Sequence, residues 1–417
     1  MAYSKTRQLS IIVLTVFLDL VGLSLVIPVA APLFLGSSTE LFGVATSLQY
    51  RTLILGLLLG TGPVIQFFVA PLLGAYADRA GRKPVLIVSV LGNALSHALF
   101  GVAILTHQLW LLFLSRMLTG IGSANISAAN SAVADISGPE DKVRNFGLVG
   151  MGLGLGFIFG PYLGGLLSNS EAVSWFNLAT PLWAAAVVSV INAGVIWLFF
   201  GETLRLRIRT RMNAWTGLHN IVRAFGLPRM RAIYAVSLCM GFGYNFFVQF
   251  FSVFLVARFA FTTSQIGALF AYFGIWTAFT QGVLARYISR AVPARSVVRW
   301  APLGAVVMLL ILARVTQVQT VYLLLPLVAM FYGVNGPNIT SIISDLADNQ
   351  SQGEALGIDR AMSALSFGIP PILSGWAVGI SVSMPMVFAA FFIFVAWFMF
   401  VKFVPRSRES GVFHEVE

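Results

Sequence analysis

The 417-residue chain has little charge, almost no cysteine and few histidines. Only 10% of its residues are Asp, Glu, Lys or Arg, whereas a soluble domain carries about 25% charged residues to cover its surface. Cys239 is the only cysteine, which excludes an internal disulfide and a zinc site built from cysteines. The four histidines are scattered, and the phosphate-binding pattern G-x-x-x-x-G-K-[ST] is missing. The sequence therefore predicts no enzyme, no consumption of ATP, no metal and no cofactor.

What the chain has in place of charge is apolar residues, which make up 58% of it. Apolar stretches of about 20 residues recur along its length, each long enough to cross a bilayer as a helix. The first stretch is too long for the core of a signal peptide and shows no cleavage site, so it counts as a span. We predict an all-α membrane protein with twelve transmembrane helices, at about 9–35, 50–76, 84–106, 109–133, 145–168, 179–200, 231–257, 264–288, 297–316, 319–343, 354–380 and 384–404.

Lysine and arginine are distributed unevenly between the connections of these spans. The even-numbered connections and the two termini hold 21 of them, and the odd-numbered connections hold 3. Because basic loops stay in the cytoplasm, both termini and the long middle loop are predicted to be cytoplasmic. The net charge of +11 has the same explanation, so nucleic acid is not a predicted partner. The predicted location is the bacterial cytoplasmic (inner) membrane.

The two halves of the chain repeat each other. A shift of 210 residues aligns Ser131 with Ser341 and Pro161 with Pro371. Two related sets of six spans are typical of transporters whose ligand site lies between the halves, near the middle of the membrane. The predicted domains are two pseudo-symmetric six-helix bundles at 1–200 and 231–417, joined by a basic cytoplasmic linker at 201–230. Five linker residues are predicted to rest on the membrane as an interfacial helix: Trp215, Leu218, Ile221, Val222 and Phe225.

Charge is concentrated in the stretch "LLGAYADRAGRKPVL" at 72–86, between spans 2 and 3. One interpretation is that its basic residues simply hold this loop on the cytoplasmic side of the membrane. The stretch also matches the pattern G-x-x-x-D-R-x-G-R-[KR] in full, and on that pattern the chain resembles the major facilitator superfamily. The resemblance implies a gate in which a charge clamp latches the state open to the outside. Its residues are Gly74, Asp78, Arg79, Gly81, Arg82 and Lys83.

Span 5 contains a regular stripe of glycines in "GLGLGFIFGPYLGG". Small residues at every fourth position let two helices pack backbone to backbone, which is ordinary in membranes. Here the full pattern G-x-x-x-G-P-x-x-G-G is present, and it resembles the signature of the proton-coupled antiporters within the superfamily. The matching residues are Gly156, Gly160, Pro161, Gly164 and Gly165.

Two charges lie inside spans of the first half, Asp19 in span 1 and Arg116 in span 4. A charged side chain costs free energy at such a depth in the bilayer, so it is expected to face the polar interior of the bundle and to pair with another group. Asp19 with Gly22 and Pro28 resembles the first span of the tetracycline/proton antiporters. We predict that Asp19 and Arg116 pair and carry the proton coupling; a purely structural ion pair is the alternative.

The resemblance to tetracycline exporters has two gaps. Those proteins carry a carboxylate in span 3, where this chain has His97 and Asn93, and another in span 9, where this chain has none. The resemblance therefore does not extend to tetracycline as the substrate. His97 either titrates near neutral pH or serves as a hydrogen-bonding residue on a peripheral helix.

Polar residues in three spans of the second half are further candidates. Asp359 and Arg360 at the start of span 11 are predicted to belong to the gate, or else to a solvated helix start. In the superfamily fold, spans 7 and 10 line the cavity, and aromatic residues surround their polar groups, which suits an amphipathic ligand or the lipid face. The predicted ligand-binding residues are Tyr244, Asn245, Gln249, Tyr332, Asn335 and Asn338.

These features predict a monomeric secondary transporter that exports a small amphipathic compound in exchange for protons, by alternating access. Its partners are that small-molecule substrate, protons and the lipid bilayer. A proton-coupled importer of a metabolite or siderophore is the first alternative. A membrane sensor or integral-membrane enzyme is the second, but the sequence offers no catalytic cluster for it.

Overall fold

The computed structural model describes residues 4–36, 41–43, 45–123, 125–138, 140–204, 215–227, 230–347 and 352–404, and every regular element in these ranges is a helix. The helices are α1 (Lys5–Ser24), α2 (Val26–Leu35), α3 (Leu48–Ala80), α4 (Arg82–Thr106), α5 (Leu109–Gly122), α6 (Asn125–Ile136), α7 (Lys142–Leu166), α8 (Thr180–Phe199), α9 (Thr216–Gly226), α10 (Arg231–Phe259), α11 (Thr263–Phe279), α12 (Ala285–Ala291), α13 (Ala294–Leu312), α14 (Val318–Gly333), α15 (Asn335–Leu346), α16 (Gln352–Ala377) and α17 (Met384–Phe403). A short π-helical segment, Thr280–Leu284, joins α11 to α12.

The predicted fold class is confirmed. Within the described residues, eleven segments are long and apolar enough to cross a membrane, and they correspond to predicted spans 1 to 10 and 12. The remaining predicted span, 354–380, is α16, which packs along α3 and α10. The protein is thus an all-α membrane protein of twelve transmembrane helices in two six-helix bundles, α1–α8 and α10–α17.

Three of the spans are broken in the middle. Pro28 has no N–H to donate to the carbonyl of Ser24, and α1 gives way to α2 at Leu25. Pro337 has the same relation to Gly333, and α14 gives way to α15 at Val334. The third break separates α5 from α6. Broken helices are tolerated at membrane depth only where protein or an aqueous cavity satisfies the freed backbone groups.

The two bundles touch through helix pairs at one end of the molecule. The pair α3 and α16 meets at Gly56 against the carbonyl of Pro371, with no room for a Cβ, and the Thr52 hydroxyl donates to the carbonyl of Gly375 at 3.0 Å. The pair α7 and α11 meets at Gly165 against Gly267. All of these residues lie in the part of their helices remote from the linker. We call this the far end, and the opposite end the linker end.

Helix α9 of the linker lies between the two bundles at the linker end. Its Gly217 contacts the ring of Phe67 on α3 so closely that a Cβ there would lie 2.8 Å from the ring. Ile221 and Ala224 are buried in the same apolar cluster, which continues into α10 and α16. The predicted linker helix is present, and its Ile221 faces protein. Trp215, Leu218, Val222 and Phe225 are exposed, and their contact with the membrane stays a prediction.

Candidate functional site

The carboxylate of Asp19 lies half-buried in the first bundle and is held by two amides. Asn93 on α4 donates to its Oδ1 at 3.3 Å, and Asn125, the first residue of α6, donates to its Oδ2. Both asparagines are buried, with 4% and 1% of their surface exposed. We call Asp19, Asn93 and Asn125 the aspartate cluster. Its second asparagine is the first residue of α6, which packs against α1.

The predicted ion pair between Asp19 and Arg116 is absent from this state. Among the described residues, no ion pair joins the two, and the Nε atom of Arg116 is buried without a hydrogen-bond partner. The Arg116 guanidinium lies instead over the ring of Phe100, 5.2 Å from its centroid. A cation over an aromatic face keeps part of its electrostatic stabilisation without a carboxylate. The prediction failed because sequence gives no rotation of α5 relative to α1.

His97 lies inside the first bundle and not on its periphery. Only 4% of it is exposed, and its Nε2 atom occupies the space that a Cβ on Gly22 would need. Gly22 follows Asp19 by almost one helical turn, so the imidazole contacts α1 just beyond the aspartate cluster. The first bundle thus gathers an acid, an imidazole and a guanidinium around α1 and α4.

The second bundle places two tyrosines face to face. The rings of Tyr244 on α10 and Tyr332 on α14 stack with centroids 4.3 Å apart and an interplanar angle of 17°. The hydroxyl of Tyr332 donates to the carbonyl of Met240 at 3.2 Å. Both side chains remain half-exposed. We call these two residues the tyrosine pair; they offer a flat aromatic surface on the predicted cavity-lining spans.

The amides predicted beside the tyrosines fall into two groups. Asn245 is buried and donates to Gly241 and Ser366, and Gln249 donates to Asn245 at 3.1 Å and to the Phe367 carbonyl at 3.0 Å. These amides join α10 to α16.

Asn335 and Asn338 form the other group, because each donates to a backbone carbonyl four residues earlier, at the break between α14 and α15. Their described bonds therefore satisfy backbone carbonyls at the break.

The charged motif between α3 and α4 forms a compact network inside the first bundle. The buried Arg82 pairs with Asp78 at 2.6 Å and with Asp135 on α6 at 3.2 Å. Glu202, just after α8, accepts from the backbone N–H groups of Arg82 and Lys83. The motif residues were predicted from sequence, whereas Asp135 and Glu202 were missed as partners. The repeat of Asp135 at Asp345 was the available signal for the first of them.

The tight turn of this motif depends on Gly81. Its φ of 114° lies in the left-handed region, and a Cβ there would meet the Glu202 carboxylate. Lys83 donates to the carbonyl of Trp197 at 2.7 Å at the end of α8. Gly74, the first residue of the motif, lies against Ser127 on α6. Arg79 follows Asp78 in the last turn of α3.

The predicted gate residues of α16 lie in the second bundle. Asp359 accepts a hydrogen bond from the hydroxyl of Ser237 on α10. The side chain of Arg360 lies outside the described residues. The described contact of Asp359 therefore connects two helices of one bundle, and a role in a gate between bundles stays a prediction.

The glycine stripe of α7 packs closely on other helices, as its spacing indicates, and these helices are α1 and α2. Gly156, Gly160 and Gly164 lie on the backbone carbonyls of Phe17, Val21 and Leu25, with no room for a Cβ. The Ser24 hydroxyl reaches the Gly156 carbonyl at 3.2 Å.

The remaining two residues of the pattern face the other bundle. The carbonyl of Pro161 lies against Gly267, and the carbonyl of Gly165 accepts from Ser264 at 2.9 Å. The G-x-x-x-G-P-x-x-G-G pattern thus joins the helix of Asp19 to the far-end contact between the bundles.

Comparison with known proteins gives this arrangement a context. The family model described as Major Facilitator Superfamily matches residues 12–358 and 233–415. The chain is 29% identical over 371 residues to the class C tetracycline resistance protein of Escherichia coli, covering 88% of this chain and 89% of that one. It is 26% identical to multidrug resistance protein 1 of Bacillus subtilis (strain 168), covering 92% of this chain and 93% of that one.

Solved structures agree on the fold. The human organic anion transporter MFSD10 (TETRAN) superposes with a TM-score of 0.70 at 22% identity, over 96% of this chain and 100% of that one. A bacterial homolog of the human lysosomal transporter Spinster, in an inward-facing and occupied conformation, gives a TM-score of 0.76 at 15% identity, over 94% of this chain and 95% of that one. At these identities the likeness concerns the fold alone.

Proposed function

The chain belongs to the Major Facilitator Superfamily, and on that premise we propose that it exports a small amphipathic compound across the membrane in exchange for protons. The observation that carries the proposal is the aspartate cluster, a membrane-embedded carboxylate held by two buried amides. The relatives named as tetracycline and multidrug resistance proteins support export as the direction. The transporter is not an enzyme, and its chemistry consists of binding and releasing a proton and a ligand.

The aspartate cluster is suited to reversible protonation of Asp19. When Asp19 is ionised, its two oxygens accept from the amide nitrogens of Asn93 and Asn125. The amide oxygens of both asparagines are buried without a partner. When Asp19 is protonated, rotation of either amide presents such an oxygen to the new O–H donor. Both protonation states can therefore be hydrogen-bonded, whereas an arginine partner would favour only the ionised state.

The position of α1 connects this proton site to the movement of the bundles. The stripe of α7 is packed on α1 and α2 on one side, and its Pro161 and Gly165 touch α11 on the other. Backbone-to-backbone packing transmits a displacement because there are no side chains to absorb it. A change in the hydrogen bonds of Asp19 can thus bias the far-end contact between the bundles.

The tyrosine pair is the proposed ligand surface. Two half-exposed stacked rings present apolar faces, and the amide of Gln249 lies one helical turn beyond Asn245 on the same helix. A flat aromatic surface with a few hydrogen-bonding groups suits an amphipathic compound. In the proposed cycle, the ligand binds from the linker end, where the bundles are not joined by the glycine contacts of the far end.

Export of an organic anion is a second candidate, and Arg116 favours it. The guanidinium has no carboxylate partner among the described residues and contacts the ring of Phe100. A buried cation of this kind is stabilised by an anionic group that reaches it. The structural neighbour MFSD10 is a human organic anion transporter. A compound panel that includes matched cationic and anionic amphiphiles separates the two candidates.

The experiment that tests the proposal is counterflow in proteoliposomes with internal pH recorded. An imposed gradient, acidic inside for vesicles with the linker end outside, should drive uptake of the exported compound, with internal alkalinisation that scales with uptake. If a compound is exchanged but moves no protons, the antiport is wrong. If the compound moves in the same direction as the protons, the protein is instead a symporter and an importer.

Orientation needs its own test, because export is defined by it. We propose that the linker end faces the cytoplasm, as the basic linker predicts. Two exposed serines provide a matched pair: Ser170 in the far-end connection after α7 and Ser289 at the linker end of α12. In a Cys239→Ser background, cysteine at Ser170 should react with an impermeant thiol reagent on intact cells, and cysteine at Ser289 should react only after permeabilisation. The reverse pattern would invert the proposed direction.

A further inference from the structure

A groove of about 680 Å³ runs between α1 and α7, away from the aspartate cluster and the tyrosine pair. It begins at the linker end and extends towards the membrane centre. Its lining residues divide into two sets by chemistry. The polar and charged set is Lys5, Thr6, Ser10, Asp141, Arg144 and Asn145, and the apolar set is Leu9, Val13, Leu14, Phe17, Ile136, Leu148, Met151, Gly152 and Leu155.

The groove faces the lipid and not the second bundle. On α7, Phe157 packs against the apolar cluster of the second bundle. At 100° per residue, Leu148 and Leu155 point to the opposite side of the helix. Leu155 is 38% exposed. Exposed apolar side chains on the outside of a membrane-spanning helix contact acyl chains, so the groove opens to the bilayer.

The dimensions of the groove match one leaflet. From Lys5 to Phe17 the helix rises about 18 Å, close to the ~15 Å of a single hydrocarbon leaflet. The polar set lies at the linker end, where headgroups are found, and the apolar set continues inward from there. This order of polar and apolar groups is the order within a phospholipid.

The polar end of the groove carries positive charge that ion pairs within the described residues neutralise only in part. In the described part of the chain, the Lys5 ammonium makes no ion pair, and the only partner of Arg144 is Asp141 at 3.1 Å. That pair is exposed on both sides, with 71% and 54% of the side chains accessible, so water and ions compete for it. The hydroxyls of Thr6 and Ser10 lie beside Lys5 along the same wall.

We infer that this groove binds an anionic phospholipid from the leaflet at the linker end. One acyl chain lies along Leu9, Val13 and Phe17, and the phosphate lies between Lys5 and Arg144. Basic pockets between transmembrane helices are recognised by anionic headgroups through charge, and apolar walls retain the chain. The bound lipid contacts the α1–α7 pair, whose close packing continues to the helix turns around Asp19.

Native mass spectrometry of the full chain in detergent tests the site, with phosphatidylglycerol and phosphatidylcholine of identical acyl chains supplied in equal amounts. The wild type should retain phosphatidylglycerol in preference to phosphatidylcholine. Lys5→Gln and Arg144→Gln should each lower that preference about fivefold and the double variant about 25-fold. The matched control is Arg299→Gln with Lys402→Gln, two basic residues of the second bundle near the linker end, which should keep the wild-type preference.

A second variant tests the groove itself. Ser10→Trp puts an indole on the groove wall and should lower retention of both lipids, whereas Ser289→Trp, on exposed α12, should not. The inference is overturned if the Lys5/Arg144 variants keep the wild-type preference, if both lipids are retained equally by the wild type, or if Ser10→Trp retains lipid like the wild type. Retention of a copurified non-lipid mass that Ser10→Trp removes would also overturn it, because the occupant would then be another compound.

Discussion

The two bundles have the same helix count and related sequences, yet their interiors differ in chemistry. The first bundle holds Asp19, His97 and Arg116 at membrane depth, with the amides of Asn93 and Asn125 around the acid. The second holds amides and stacked aromatic rings, among them Tyr244 and Tyr332. Asn125 and Asn335 are separated by the 210-residue shift of the repeat, and both begin the helix after a break.

The difference shows that an asparagine placed directly after a helix break can serve a different purpose in each half of the repeat. In the first bundle the asparagine after the break binds a carboxylate on another helix. In the second, its counterpart Asn335 binds the backbone of its own break. A proton site needs a group that changes charge, and a surface for an amphipathic ligand needs apolar area. We expect proton coupling to depend on the first bundle and ligand affinity on the second.

The largest effect is expected at Asp19. Asp19→Asn keeps the shape of the carboxyl group but cannot take up or release a proton. Uphill transport driven by a pH gradient should fall to the level of protein-free vesicles, while counterflow without a gradient persists. Asp345→Asn, the same change at an exposed acid of the second bundle, should leave both activities at wild-type levels. Wild-type accumulation by Asp19→Asn would remove the first bundle from the coupling.

The next largest effect is a loss of stability, compared between one arginine of each bundle, Arg82 and Arg290. Arg82→Gln leaves Asp78 and Asp135 without their buried cation, and the expected loss is about 2 kcal/mol of stability, since both acids are still partly solvated. Arg290→Gln, at an exposed residue in the last turn of α12, should change stability by less than about 0.5 kcal/mol. Thermal unfolding in detergent measures both. Equal midpoints for the two variants would contradict a structural network confined to the first bundle.

A smaller effect is expected where the linker helix touches both bundles. Gly217→Ala adds a Cβ 2.8 Å from the ring of Phe67, so α9 must move, at a cost of about 1 kcal/mol, the low end of the range for overpacking. Gly226→Ala, at the other end of α9, meets nothing within 4 Å and is the matched control. Thermal unfolding should separate them. Phe67→Leu should restore part of the loss in the Gly217→Ala background; if it does not, the contact is not the cause.

The smallest effect concerns the tyrosine pair. Tyr332→Phe keeps the stacked ring and loses only the hydrogen bond to Met240, so ligand affinity should change little. Tyr332→Ala removes the stack, which is worth about 1 kcal/mol, and should weaken ligand binding about fivefold while the number of protons exchanged stays the same. Tyr272→Ala, at a tyrosine contact with Tyr322 elsewhere in the second bundle, is the control. A changed proton ratio in Tyr332→Ala would contradict the division between the bundles.

Much of the fold could be predicted from the sequence because the membrane restricts it. A bilayer of fixed thickness demands apolar helices of fixed minimum length, so hydropathy locates the spans. Spacing alone also indicated that α7 packs closely on another helix, since four glycines at every fourth position lie on one face. The structure shows that this helix is α1. The breaks at Leu25 and Val334 lie three residues before Pro28 and Pro337, which lack an N–H group. Proline alone does not locate a break, because Pro63, Pro71 and Pro161 lie inside continuous helices.

The partners of the charged residues required the tertiary structure. Asn93 and Asn125 stand 74 and 106 residues from Asp19, and neither hydropathy nor spacing states how the helices that carry them are rotated. Sequence reasoning chose Arg116 because opposite charges attract. The packed helices direct its guanidinium to Phe100 and give Asp19 two neutral amides. The sequence by itself determined which groups lie within the membrane, because their positions along the spans are fixed by length. Only the packing decided which of them meet, because helix rotation depends on contacts between distant parts of the chain.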